Sequence, residues 1–526
     1  MNGFPCFVMC SVWSFLLQRN TSILFWPITL FMTPSTTSDS TTSSEHHFNR
    51  SLGLFDSTLI VSGSMIGSGI FIVTASMARN LGSPGWLMLL WVITGVLTVA
   101  AALSYGELAG MMPKAGGQYV YIRRAYNPLL GFVYGWTVFT VIQTGTIAAV
   151  AVAFTKFTAV FVPALNPENT WFALGPVTFS LGKFYAIGSI VLLTWLNSRG
   201  VQSGKLIQNL FTSAKLIALF GLILLGIGFG VANGSLSVNF QDVWSATKTV
   251  VDPVTNAVSS TPLVGTALLL AFGVSMIGSL FSADAWNNVT FIAGEIKNPR
   301  RNIPLSLFFG TLLVTTIYAL ANIAYLAVLP LKGLPDAADV VGRGMQFAEF
   351  DRIGTAAASM VFGDVAVGIM AVLIMVSTFG CNNGLILAGA RLYYAMAADG
   401  LFLKSASKLN KNSVPGAALW LQCGWASLLC LSGKYGDLLD YCTFASLVFY
   451  IVTIGGLFLL RAKEPDAERP YRAFGYPLVP ALYIVAGTAI CIILLIDPQT
   501  RFNTGMGLVI AGLGVPVYYW TKRNNA

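Results

Sequence analysis

The sequence predicts an all-α polytopic membrane protein with twelve spanning helices. Three observations carry this reading. Of 526 residues, 55% are hydrophobic and only 10% charged, against about 25% charged in an ordinary globular domain. The mean hydropathy is +0.71, far above what a water-exposed surface tolerates. The apolar runs continue for roughly 20 residues, the length a helix needs to cross a bilayer. Together these exclude a soluble enzyme, a disordered regulator and a secreted disulfide scaffold. A membrane β-barrel is excluded too, because its strands alternate in polarity over about 10 residues.

The elements follow in chain order. Residues 1–50 are set apart as a tail. Residues 1–31 are apolar but broken by Pro5, Gln18-Arg19-Asn20 and Pro27, and 33–44 form a Ser/Thr-rich stretch expected to be disordered. A signal peptide over 1–31 is one reading, although no charged region precedes its apolar run; a start at Met32 is the other. Residues 51–526 then make the membrane domain. Its spans are expected near 54–79, 85–111, 128–162, 181–198, 204–231, 263–292, 304–329, 360–398, 416–432, 438–460, 476–496 and 503–521. Windows longer than a bilayer crossing imply tilt or overhang.

Charge sets the orientation. With the tail inside, the inner loops hold Lys114, Arg123, Arg124, Arg300, Arg301, Arg461, Arg469 and others, while the outer segments hold a smaller set including Arg79, Lys156 and Lys183. The ratio is about two to one, which places both termini in the cytoplasm. The net charge of +9 is scattered singly and in pairs and forms no basic stripe, so it does not indicate nucleic acid. The seven cysteines make no CxxC pair, and neither a disulfide framework nor a metal site is expected. His46 and His47 stand together in the tail, leaving no histidine for chemistry within the bilayer.

Two spans are interrupted. The first reads Val61-Ser62-Gly63-Ser64-Met65-Ile66-Gly67-Ser68-Gly69-Ile70-Phe71. Glycine and serine at mid-depth favour a break whose freed N–H groups suit a carboxylate. The alternative is close helix packing through small residues. The sixth span repeats Ser-Met-Ile-Gly-Ser at 275–279 and continues to Phe281-Ser282-Ala283-Asp284. Interruptions at matching positions in two halves point to a transporter site. Asp284 can meet a substrate ammonium or titrate during transport; alternatively it is solvated or paired with Lys297. Lys215, in the middle of the fifth span, lies too deep to reach either surface and needs oxygen partners inside the bundle. Gln143, Thr144 and Thr146 read as interhelical hydrogen bonds, with the lining of a pathway as the alternative, Glu107 as a hydrated carboxylate, and Arg461–Arg472 as a solvated linker.

Several stretches carry a resemblance: Ile66-Gly67-Ser68-Gly69-Ile70-Phe71, Gly82-Ser83-Pro84-Gly85, Ser104-Tyr105-Gly106-Glu107-Leu108 and Pro113-Lys114-Ala115-Gly116-Gly117-Gln118-Tyr119. Further on come Trp286-Asn287, Glu295-Ile296-Lys297-Asn298-Pro299 and Glu468-Arg469-Pro470-Tyr471-Arg472. Together and in this order they resemble the amino acid–polyamine–organocation (APC) superfamily, and within it the L-type amino acid transporter family and its bacterial homologues. The resemblance implies a five-plus-five inverted repeat, about 54–231 and 263–460, with helices 11 and 12 at about 476–521 and discontinuous helices 1 and 6. It also implies a substrate site at Ile66, Gly67, Ser68 and Gly69, where the N–H groups of Gly67, Ser68 and Gly69 hold an α-carboxylate, and that carbonyls at Phe281, Ser282 and Asp284 hold the α-ammonium. Phe281 matches an aromatic gate. Lys215 matches a lysine standing where sodium-coupled relatives bind sodium, so that the cation bridges the first and eighth helices.

Three departures stand out. Cys381 replaces a serine that often serves that lysine, and Asp284 replaces a small residue. Residues 163–180 lack the cysteine through which eukaryotic members link to a heavy chain. The expected function is sodium-independent amino acid transport by alternating access across the plasma or inner membrane, with exchange as the mode. Proton symport is the alternative, and a non-transporting amino acid sensor the alternative of another class. An amino acid and the lipid bilayer are the expected partners; no cofactor, metal, nucleic acid, disulfide-linked heavy chain or enzymatic activity is expected.

Overall fold

The computed structural model describes residues 50–525, apart from 175–176, 233–234, 253–254, 256, 364 and 433–434. Except for Arg50, the tail of residues 1–50, with its two histidines and the question of Met32, lies outside the described residues.

The described chain is mostly helical. The first window contains α1 (Leu54–Met65) and α2 (Gly69–Leu81), and α3 (Pro84–Met111) follows. Ser83 caps α3 by accepting the Trp86 N–H, and Pro84 occupies its first turn, where no backbone donor is needed. A short α4 (Gln118–Ala125) leads into the third window. That window divides into α5 (Pro128–Thr137), a π-helical segment (Val138–Ile142) and α6 (Gln143–Thr158). Next come α7 (Leu181–Ser198), α8 (Val201–Ala232) and the short α9 (Ser235–Asn239). The sixth window contains α10 (Gly265–Ser282) and α11 (Asn288–Phe291). The remainder is α12 (Pro299–Val328), α13 (Val340–Arg343), α14 (Ile353–Phe362), α15 (Val365–Ala398), α16 (Gly416–Ser432), α17 (Tyr435–Lys463), α18 (Leu478–Ile496) and α19 (Arg501–Asn525). Two antiparallel hairpins complete it: β1 (Phe172–Leu174) pairs with β2 (Val177–Phe179), and β3 (Thr247–Val251) with β4 (Val258–Pro262).

Among the described residues, 9 helical segments are long and apolar enough to cross a membrane. Helices α7, α16 and α19 also fall within expected windows but are shorter or more polar. The eighth window begins too early, because residues 360–362 belong to α14, which ends at Gly363 with φ of 72°.

Burial sorts the helices. The apolar window of the α1–α2 span is 94% buried, whereas those of α8 and α18 are 33% buried. The first span is therefore the centre of the packing and the other two present most of their surface to lipid. α1 packs on α8, α12 and α15; α2 packs on α10. Small residues make this approach tight, as where Val61 fills the space beside Gly310.

Two polar assignments are corrected. Glu107 is not hydrated but fully buried; it accepts from Arg461 at 2.9 and 2.6 Å and from the Ala473 N–H at 2.6 Å, and Arg469 lies 3.2 Å away. The tract Arg461–Arg472 is thus folded back onto α3 rather than solvated throughout. Hydropathy registers the charges of such a tract but not the buried carboxylate waiting for them. A second buried pair, Glu295 with Arg391 at 2.9 Å, joins the chain after α11 to α15. Ser51 and Leu52 donate their N–H groups to the Glu295 carbonyl at 3.0 and 3.1 Å, which ties the entry to α1 to the same point.

Candidate functional site

The first span breaks where its glycines and serines cluster. Helix α1 stops at Met65, Ile66 leaves helical geometry (φ −77°, ψ 86°), and α2 begins at Gly69. A break within a membrane exposes carbonyls that need donors, and side chains from three other helices supply them. Lys215 on α8, 1% exposed, donates to the Gly63 and Ile66 carbonyls, both at 2.6 Å. From α15, Ser377 donates to Ile66 at 3.1 Å, and Cys381 reaches the Ser64 carbonyl at 3.0 Å. The Tyr318 hydroxyl, on α12, lies 3.0 Å from both the Met65 and Ser282 carbonyls, so it spans the two broken helices. Lys215 and α15 meet through the Ile66 carbonyl they share. Cys381 bonds the backbone next to the carbonyls that hold the lysine, and Ser377 shares the Ile66 carbonyl with that lysine. Neither Ser377 nor Tyr318 stands out in its apolar run, so the sequence carries no signal for either.

The sixth span breaks after Ser282. Ala285 takes the left-handed conformation (φ 66°), uncommon for a residue with a side chain, and α11 resumes at Asn288. The repeated pentapeptide occupies unlike positions: its first copy, Ser64–Ser68, contains the break, whereas residues 275–279 are helical and precede theirs. The matching feature of the two spans is the interruption, not the shared word.

The breaks meet at Gly69. A Cβ on that residue would lie 2.1 Å from Ser282 Oγ, so only glycine allows this approach. The first turn of α2 leaves backbone N–H groups without partners in the helix, and its N-terminus carries partial positive charge. Phe281, 7% exposed, packs edge-on against Tyr435 with ring centroids 6.3 Å apart. The Tyr435 hydroxyl is 3.1 Å from Ser68 Oγ, and the Lys156 ammonium stands 5.9 Å above the Tyr435 ring. Tyr435 thus covers both breaks from α17; it begins its helix, where sequence patterning gave no signal.

Asp284, 8% exposed, faces α17. Its carboxylate accepts from Ser446 at 3.0 Å and from the Tyr450 hydroxyl, rather than pairing with Lys297. A narrow cavity opens beside it, lined by Gln118, Gln143, Thr146, Asn287, Ser446 and Tyr450 among others. The π-helical segment forms part of the opposite wall. Two of its carbonyls are taken from outside the helix: Trp425 donates to Thr140 at 3.0 Å, and Cys442 to Val141 at 3.3 Å. Gln143 makes the interhelical bond expected of it, to the Leu385 carbonyl at 2.7 Å. Thr144 and Thr146 instead bond within their own span, to Phe139 and Ile142.

Gln118 closes the far side of the cavity. Its amide donates to the Phe449 carbonyl at 3.1 Å and to Thr453 Oγ1 at 2.9 Å, and its oxygen accepts from Tyr134 at 2.9 Å and Asn287 at 2.8 Å. One fully satisfied side chain thereby joins α5, α17 and the sixth-span break. The five described cysteines are free and buried, and no metal-binding cluster is present among the described residues.

Comparison with known proteins agrees with this architecture. A family profile described as amino acid permease matches residues 52–518. The chain is 29% identical to the mouse b(0,+)-type amino acid transporter 1 over 488 residues, covering 90% of each chain. It is 29% identical to the mouse large neutral amino acids transporter small subunit 2 over 485 residues, covering 90% of this chain and 82% of the relative. It is likewise 29% identical to the mouse Asc-type amino acid transporter 1 over 478 residues, covering 89% and 81%. With nearly the whole described chain matched and its helices apolar enough to span a bilayer many times, this integral, multi-pass membrane protein belongs to the amino acid permease family.

Proposed function

We propose that the protein is a sodium-independent secondary transporter that exchanges amino acids by alternating access. The observation that carries this is the Lys215 ammonium held by the Gly63 and Ile66 carbonyls beside the break in the first span. A fixed cation there supplies the charge that a coupling sodium would otherwise bring. The α-carboxylate sits beside Ile66 on the backbone N–H groups of Gly67, Ser68 and Gly69, the Gly67 N–H giving up its bond to the Met65 carbonyl, where α2 begins and its dipole favours an anion. The α-ammonium sits on the carbonyls at Phe281, Ser282 and Asp284. Phe281 closes over it, and Cys381 and Ser377 hold the first span in place beneath.

The architecture proposed with this function has twelve spans, repeats over about 54–231 and 263–460 in opposite orientation, and helices 11 and 12 appended over about 476–521. Both termini face the cytoplasm, the membrane is the plasma or inner membrane, and the protein acts without a disulfide-linked heavy chain. Rocking of the repeats around the breaks provides alternating access.

Counterflow in proteoliposomes tests the reading. Labelled amino acid should accumulate only when unlabelled substrate is loaded on the far side, and replacing sodium with choline should leave the rate unchanged. Uptake that vanishes without sodium would overturn the role given to Lys215. The buried Asp284 carboxylate favours a second mode, proton symport, in which an imposed pH gradient alone concentrates substrate in vesicles containing none.

A further inference from the structure

The hairpin between α6 and α7 carries a surface that the transport reading leaves unused. From Asn169 to Gly182 the chain has no charged residue, and it includes Trp171, Phe172, Leu174 and Phe179. Trp171, Phe172 and Leu174 are 61%, 54% and 66% exposed. These side chains are not scattered. Phe172 stacks on Phe179 with centroids 4.5 Å apart, and both Trp171 and Phe179 lie 6.3 Å from the ring of Phe184. Phe184 begins the exposed apolar row of α7, which continues through Tyr185, Val191, Leu192 and Trp195. Tyr185 stacks on Phe154 and Arg199 sits over the Trp195 ring, yet the row stays 39–46% exposed, and in the twelve-span architecture proposed above it is the lipid-facing side of a spanning helix. The hairpin's aromatic cluster is therefore continuous with a surface already committed to lipid.

Length and hydrogen bonding set its depth. Helix α7 has 18 residues, which gives about 27 Å of rise against a hydrocarbon core of about 30 Å. An aromatic cluster at its N-terminal end extends the apolar band to the interface. The two strands bond to each other, in register Phe172↔Phe179, Ala173↔Thr178 and Leu174↔Val177, but a two-stranded ribbon keeps polar groups on its outer edges. Such edges are excluded from hydrocarbon and tolerated among headgroups, where aromatic side chains concentrate.

We propose that the β1–β2 hairpin is an interfacial anchor, lying in the headgroup region at the N-terminal end of α7 with Trp171 and Phe172 among phospholipids. In the orientation proposed above this is the outer leaflet. The loop between the third and fourth spans thus engages lipid rather than an accessory protein, and this holds whatever the transported substrate.

The test uses the full-length protein in phosphatidylcholine vesicles whose acyl chains are brominated either near the headgroup or near the bilayer centre. The emission difference between wild type and Trp171→Phe isolates Trp171. Headgroup-proximal bromine should quench that difference at least about twofold more than central bromine, while aqueous iodide has little effect. Should Trp171→Phe fail to fold, Leu174→Trp read against wild type provides the same measurement. Quenching by iodide with none by either lipid would overturn the proposal and leave the surface to water or to a protein partner. Stronger quenching from the bilayer centre would overturn the interfacial depth.

Discussion

Lys215 shows what a single buried charge does here. Its ammonium satisfies two carbonyls that the first-span break releases, and an unsatisfied buried carbonyl costs about 1–3 kcal/mol. Lys215→Ala is expected to reduce uptake by at least about tenfold while the protein still reaches the membrane; near-normal uptake in vesicles would remove its assigned role. Asp284 is the complementary case, a carboxylate that accepts from two hydroxyls, those of Ser446 and Tyr450. Asp284→Asn keeps the shape and deletes the charge. A hydrogen bond to a charged group contributes about 1.5–3 kcal/mol. Competition by cationic amino acids should therefore weaken about ten- to a hundredfold relative to neutral ones, and an unchanged competition profile would show that Asp284 does not read substrate charge. Tyr435→Phe removes only the hydroxyl facing Ser68. The loss of about 1 kcal/mol should change apparent substrate affinity about fivefold without altering expression.

At the scale of elements, the breaks and the long polar links decide the arrangement. Gly69 is required by the approach of α2 to α10, so Gly69→Ala, whose Cβ would meet Ser282, should abolish exchange. Adding Ser282→Gly should restore part of it, because the second change removes Oγ and Cβ and leaves only the Cα, 3.0 Å away, in close contact. The return of Arg461–Arg472 to α3 depends on Glu107, which Arg469, with a 7% exposed side chain, approaches at 3.2 Å. Removing one member of a buried ion cluster costs about 3–5 kcal/mol. Glu107→Gln should accordingly lower the thermal unfolding temperature of detergent-purified protein, whereas Glu468→Gln, at an exposed pair with Arg300, should have little effect. Length, apolarity and the glycine–serine cluster made the spans and the interruption of the first one legible before any coordinates. The π-helical segment was not legible, since two of its carbonyls find their donors only in Trp425 and Cys442 on other helices.

At the scale of the whole molecule, the scheme proposed above has a buried first span and its partner in the second half move against a surrounding frame. The sodium-replacement and counterflow measurements test that scheme as a unit. What the sequence determined by itself was the solvent of this protein and where its helices fail. In lipid every backbone polar group must be satisfied within its own segment or by nearby protein, so span length, hydropathy and interruptions are local properties that a linear reading can recover. Only the tertiary structure decided who answers the freed groups. Lys215 meets Gly63 across 152 positions, Glu107 meets Arg461 across 354, and Ser68 meets Tyr435 across 367. Hydropathy records that such side chains are polar; which of them come together is set by helix packing, because burial makes a partner necessary without naming it.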